Sequence, residues 1–319
     1  MDGTMKALML RAPGQLCYED VPLPRCGERE VLVRLERACI CNGSDPGLYL
    51  GHTDIPFPFV FGHEACGVIV HAGAQVTAFR PGERVSWWFT VGAFAEYVAV
   101  APEKVCMVRV PDTLSIDAAP VLELAVASSR AALVFPARGK RVLIIGLGPS
   151  GLLMAQMLRA EGAEWIAGWD LYESRRALGF RLGCDQTCHP LAGGVSESFD
   201  VVIDAIGDDL LPGEETLARA IGRTREGGLI ISYGHPVHGR RFDPYFFQSK
   251  RLSMRGPENR MPEIRALGTR VMSLIAAGLL DLNPLVTARV PLRGAEAAFM
   301  RHLAAPEENL KIVIDCTQA

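Results

Sequence analysis

No run of the chain approaches the roughly 18 uninterrupted apolar residues that a membrane helix needs. The opening stretch MDGTMKALMLRAPG also lacks the apolar segment of a secretory signal. Neither sign of charge dominates: 33 Lys and Arg against 36 Asp and Glu give a formal net charge of −3, with no blocks of either sign. That balance argues against the basic footprint of a nucleic-acid binder and favours a small neutral or polar molecule as partner. Cysteine, nine residues at irregular spacings, is too sparse for a disulfide scaffold, so most thiols are expected to be reduced core residues. Internal repeats, low-complexity tracts and heptads are missing, which sets aside solenoids and coiled coils. Together these absences point to a soluble, cytoplasmic protein that binds neither membrane nor nucleic acid.

What is present is a chain of 319 residues, 49% apolar, long enough for two domains with separate cores. From Met5 to about Val110, short runs rich in branched residues (KALML, VLVRLE, GVIVHAG, RVSWW, FAEYVAV) alternate with Gly and Pro, the texture of a compact antiparallel β domain. Near Ile116 the texture changes: DAAPVLELAVASSRAALVF reads as a helix leading into the apolar strand RVLIIG. Strands and helices then alternate through WIAGWD, FDVVIDAIG and GLIISYG, which predicts a doubly wound parallel sheet. The terminal strand KIVIDC breaks that rhythm and is assigned back to the first domain. The expected layout is therefore an α/β protein in which residues 1–117 and 257–319 form a β-rich catalytic domain and residues 118–256 an inserted nucleotide domain.

In LIIGLGPSGLL, Gly146, Gly148 and Gly151 form GxGxxG after a strand and at a helix start, with Pro149 and Ser150 between the last two glycines. The first glycine permits a tight turn, the second lets backbone approach a pyrophosphate, and the third allows helix and strand to pack closely. Asp170 ends the next apolar strand at the spacing of an acid that holds the adenosine ribose hydroxyls. Its charge would repel a 2′-phosphate, so NAD is expected over NADP. Arg175, with Arg176, is either a neighbouring cation for such a phosphate or an ordinary solvated helix charge.

In the β-rich segment, Cys41-Asn42-Gly43-Ser44-Asp45 and Gly62-His63-Glu64 sit in loops, and a thiolate with an imidazole suits zinc. ICNGSD, then FGHEACGVI, then GxGxxG and an acid resemble, in order and approximate spacing, the zinc-containing medium-chain dehydrogenase/reductase family, alcohol and polyol dehydrogenases among them. The resemblance implies a GroES-like catalytic domain beside a Rossmann domain, one catalytic zinc, and hydride transfer between an alcohol or ketone and NAD in the cleft between domains. It implies Cys41 and His63 as zinc ligands, Glu64 as a carboxylate that approaches the metal, Asp45 as the partner orienting a ligand, and Ser44 as the hydroxyl passing a proton outward. Glu123 of VLELAVAS is offered as the third ligand, a charged cap or inter-domain salt bridge being its other reading. Lys311 would contact the pyrophosphate or else be an edge-strand lysine. A homodimer or homotetramer is implied as well.

Two departures from the family's pattern stand out. The Cys41 loop carries one extra residue, which leaves Cys41 favoured over Cys39, and Gly47 stands where some relatives have a histidine that His52 would have to replace. Between Trp88 and Gly92 there is no cysteine, so no structural zinc is expected. Trp87, Trp88 and Phe89 either line the cleft or fill the core. A polyol, sugar or cyclitol is the favoured substrate class. The competing readings are a zinc-free quinone or enoyl reductase, a ketone reductase on the same scaffold, and a non-catalytic NAD-binding protein.

Overall fold

The computed structural model describes residues 3–191, 198–207, 216–236 and 242–318. The chain forms two compact units, Met1–Val126 with Leu282–Ala319, and Ala127–Asp281. Where the sequence suggested borders at 117/118 and 256/257, the second unit runs on to Asp281. Gln156 bonds the backbone of Asp281 at both ends of its amide, and Arg270 pairs with Glu161, which ties this stretch to the nucleotide unit.

The first unit begins with β1 (Thr4–Ala12), β2 (Gln15–Pro22), β3 (Val31–Cys39), the short helix α1 (Ser44–Tyr49) and β4 (Phe59–Val60). It continues through β5 (Glu64–Ala72), β6 (Arg84–Trp88), β7 (Tyr97–Val100) and β8 (Cys106–Arg109), then enters α2 (Val121–Ala132). The second unit carries β9 (Arg141–Ile145), α3 (Pro149–Ala160), β10 (Trp165–Trp169), α4 (Glu173–Arg181), β11 (Gln186–Cys188) and β12 (Phe199–Asp204). After these come α5 (Thr216–Arg223), β13 (Thr224–Ser232), α6 (Pro244–Ser249), β14 (Ser253–Arg255) and α7 (Met261–Ala276). The chain then returns to the first unit with β15 (Val286–Pro291), α8 (Ala295–Ala304) and β16 (Lys311–Asp315).

Two sheets build the first unit, a small one ordered β2-β1-β4 and a larger one ordered β15-β16-β3-β5-β6-β8, with β7 also paired to β3. Apolar residues of β1 and β3 such as Leu8, Leu10, Val33 and Leu35 are buried in a common core with Trp87. Phe61 sits at its centre, edge-on to Phe94 (5.6 Å) and to Phe299 (5.2 Å). Removing such area from water is the main stabilising contribution. β16 is an interior strand, parallel to β15 and antiparallel to β3.

The second unit holds a wholly parallel sheet ordered β11-β10-β9-β12-β13-β14. In sequence terms that is 3-2-1-4-5-6, the doubly wound dinucleotide-binding order. Its strands read as continuous apolar runs because helices cover the sheet, and Leu143, Ile145, Val202 and Ile230 are buried in one core. No helix among the described residues is long and apolar enough to cross a membrane.

Candidate metal centre and nucleotide loop

β3 and β5 are antiparallel neighbours, and their register sets the end of β3 against the start of β5: Cys39 lies opposite Glu64. Cys41 lies two residues past the end of β3, and His63 immediately precedes β5. The turn that launches His63 depends on Gly62, whose φ is +78° and whose missing Cβ would lie 2.2 Å from the Phe94 ring. Only glycine fits that conformation and that space. The result is a buried group in which ligand atoms of Cys41, His63 and Glu64 all lie within 4.8 Å of one another.

Backbone and carboxylate groups hold these donors in place. Asp45, fully buried on α1, accepts a hydrogen bond from the Cys41 amide through Oδ2 (2.8 Å). Its Oδ1 lies 3.0 Å from Nδ1 of His63, an ion-pair contact that leaves Nε2 as the imidazole nitrogen available to a metal. The Ser44 amide donates to Cys41 Sγ at 3.4 Å. Lys311, its side chain buried, places Nζ 2.6 Å and 2.7 Å from the two oxygens of Glu64 and 3.2 Å from the Ile40 carbonyl oxygen. Its ammonium is thus directed at Glu64, and the edge-strand alternative gives way to an interior strand. The Cys39 thiol donates to Glu64 Oε2 at 2.8 Å. The sequence offered Cys39 only as the less favoured alternative to Cys41 and did not indicate that either Cys39 or Lys311 bonds Glu64, because both contacts depend on strand register.

Glu123, near the start of α2, is also buried. It is not in the group of three donors, yet it feels the charges nearby: burial pushes its pKa up to about 8, with His63 and Lys311 pulling it down and Glu64 and Asp45 pushing it up. For His63, burial opposes the charged ring, but Cys41 and Asp45 outweigh it and hold the pKa well above the usual imidazole range. Burial and the facing Glu64 push the Cys39 thiol far up, so it serves as a donor. Buried together here are three acids, Asp45, Glu64 and Glu123, and two bases, Lys311 and His63. A buried sulfur, nitrogen and oxygen donor set of this kind suits zinc. The residues therefore fit a divalent metal.

The aromatic run before this site divides its roles. Trp87 is core, while Phe89 is 37% exposed with its ring 4.7 Å from that of His63. His52 is an exposed loop histidine.

In the second unit, the glycine loop follows β9 and caps α3. Gly146 has φ +97°, and a Cβ there would meet Ile206 at 2.5 Å; a Cβ on Gly151 would lie 1.9 Å from the Gly146 carbonyl oxygen. Gly148, the residue capping α3, would meet nothing within 4 Å, so the backbone stands open at the helix start, with Pro149 in its first turn. That is the cradle a pyrophosphate requires. Asp170 closes the loop from β10: Oδ2 accepts from the Leu147 amide (2.8 Å) and Oδ1 from the Tyr172 amide (2.9 Å). Arg176 bonds the backbone oxygens of Asp170 and Leu171, whereas Arg175 lies over the Tyr172 ring at 4.6 Å. Ser150 Oγ is 3.3 Å from the hydroxyl of Tyr233, a neighbour that no local sequence pattern indicates.

A β-rich unit with a thiolate-imidazole-carboxylate site and a dinucleotide-type unit define a metal-type oxidoreductase. Residues 27–112 match the alcohol dehydrogenase GroES-like domain. The L-threonine 3-dehydrogenase of Streptomyces coelicolor is 31% identical, the alignment covering 98% of this chain and 100% of that protein. Among solved structures, a short chain alcohol dehydrogenase from E. coli CFT073 complexed with NADH superposes with a TM-score of 0.85 at 21% identity, covering 98% of this chain and 99% of that one. A putative zinc-binding dehydrogenase from Sinorhizobium meliloti 1021 bound to NADP gives a TM-score of 0.81 at 23% identity, with 98% and 99% covered. This chain belongs to the zinc-type medium-chain dehydrogenase/reductase family and is an enzyme of the alcohol dehydrogenase type.

Proposed function

We propose that this enzyme transfers hydride between a secondary alcohol and NAD, using one zinc held by Cys41, His63 and a carboxylate. The observation that carries the reading is the buried cluster of Cys41, His63 and Glu64, with its ligand atoms within 4.8 Å of one another. Glu64 is the carboxylate with an oxygen in that cluster, and Glu123 is the nearby acid that would complete or replace it. When bound, zinc would act as a Lewis acid that lowers the pKa of a substrate hydroxyl. Asp45 orients His63, Lys311 balances Glu64, and Ser44 passes the released proton toward solvent. In the nucleotide unit, the open amides at Gly148 and the α3 start bind the pyrophosphate. Asp170, already holding the loop, keeps lone pairs for the ribose hydroxyls, and its charge favours NAD over NADP.

Polyols, sugars and cyclitols are the substrate classes to test first, with L-threonine beside them because relatives carry the name of its dehydrogenase. The deciding experiment is an NAD-coupled screen of these alcohols with zinc measured on the same preparation, expecting one zinc per chain. His63→Ala should abolish zinc binding and turnover while NADH binding, followed by fluorescence, stays nearly intact. Active protein without zinc, or loss of NADH affinity in the variant, would refute the assignment.

A further inference from the structure

We propose that Cys39 is a positioning residue of the metal site: its thiol, together with Lys311, fixes the direction in which the Glu64 carboxylate faces Cys41 and His63. The proposal rests on the reading of that cluster as a metal centre. Cys39 and Glu64 are cross-strand partners at adjoining ends of β3 and β5, so their side chains project on the same face of the sheet. Sγ lies 2.8 Å from Oε2, and Lys311 Nζ reaches both oxygens from β16 on the other side of β3. All three side chains are buried, so no water competes for these bonds. A carboxylate held by an ammonium alone retains freedom to swing about it. Donors on two strands fix its plane.

The two thiols of the Cys39-Ile40-Cys41 run thus have different tasks. Cys41 offers sulfur within reach of His63 and Glu64, whereas Cys39 is outside that group and acts through the carboxylate. Two other buried thiols, Cys66 and Cys316, donate only at long range, 3.8–3.9 Å, to backbone carbonyl oxygens. Cys39 instead makes a short sulfur contact to a charged oxygen.

Two variants separate this role from packing. Cys39→Val keeps the volume and loses the donor, and Cys39→Ser keeps a donor. Zinc affinity is measured by chelator competition and the site geometry by the visible spectrum of the cobalt-substituted protein, with thermal unfolding confirming that each variant folds. Cys39→Val should weaken zinc binding by about tenfold or more, as loss of a ligand's orienting partner does elsewhere, and change the cobalt bands. Cys39→Ser should stay close to wild type in both. A Val variant with wild-type affinity and spectrum, or Ser and Val variants equally altered, would overturn the proposal. Wild-type protein that takes up neither metal would instead overturn the metal reading beneath it.

Discussion

Replacing Lys311 with Met tests the electrostatics of the site most directly. The ammonium is buried and contacts both Glu64 oxygens at 2.6–2.7 Å, with little water to take its place. Removing one member of such a buried pair leaves the other charge uncompensated, at a cost of about 3–5 kcal/mol. For a unit of this size that corresponds to a fall in melting temperature of about 6–20 °C. The assay is thermal unfolding of chelator-treated protein, so that bound metal does not substitute for the missing cation. Tryptophan fluorescence reports on both units, since Trp87 and Trp88 lie in the first and Trp165 and Trp169 in the second. Adding Glu64→Gln should recover most of the loss, because the stranded charge is gone. A drop under about 3 °C in the single variant would correspond to no more than about 1 kcal/mol, as for a surface pair, and refute the reasoning.

Two further outcomes are expected. Gly62→Ala forces a left-handed backbone on an L residue and drives a Cβ into Phe94, which should cost about 2–5 kcal/mol and lower metal content by displacing His63; unchanged melting with full zinc would contradict this. Asp170→Ser strands the Leu147 and Tyr172 amides, a loss of about 1–3 kcal/mol, and should reduce the NAD-to-NADP ratio of kcat/KM; an unaltered ratio would confine Asp170 to bracing the loop.

The parts of the site that were legible in the sequence are those coded locally. Gly146, Gly148 and Gly151 announce themselves because each does its work within a few residues of its neighbours, and β9, α3 and β10 supply the context that makes three glycines informative. Cys41 and His63 were visible as residue types with metal chemistry, though only strand pairing brings them together. The partners that tune them were hidden for the same reason. Lys311 meets Glu64 across 247 positions of chain, and Cys39 meets it across 25, so no window of sequence contains either bond. Lys311 was read as a pyrophosphate contact or an edge-strand lysine, and its bond to Glu64 became visible only with β16 in the interior of the sheet. The second border was set late at Asp281 by Gln156 and Arg270, polar contacts that leave no periodic trace.

The interior placement of β16 has a consequence for how the protein is made. As the ribosome extends the chain, Cys41, His63 and Glu64 emerge early, and the whole nucleotide unit follows before the lysine that balances Glu64. Domains generally fold as units during synthesis, so the inserted α/β unit can be complete while the first sheet still lacks its returning strands. Glu64 therefore has no ammonium partner until β16 has been synthesised and has paired with β3.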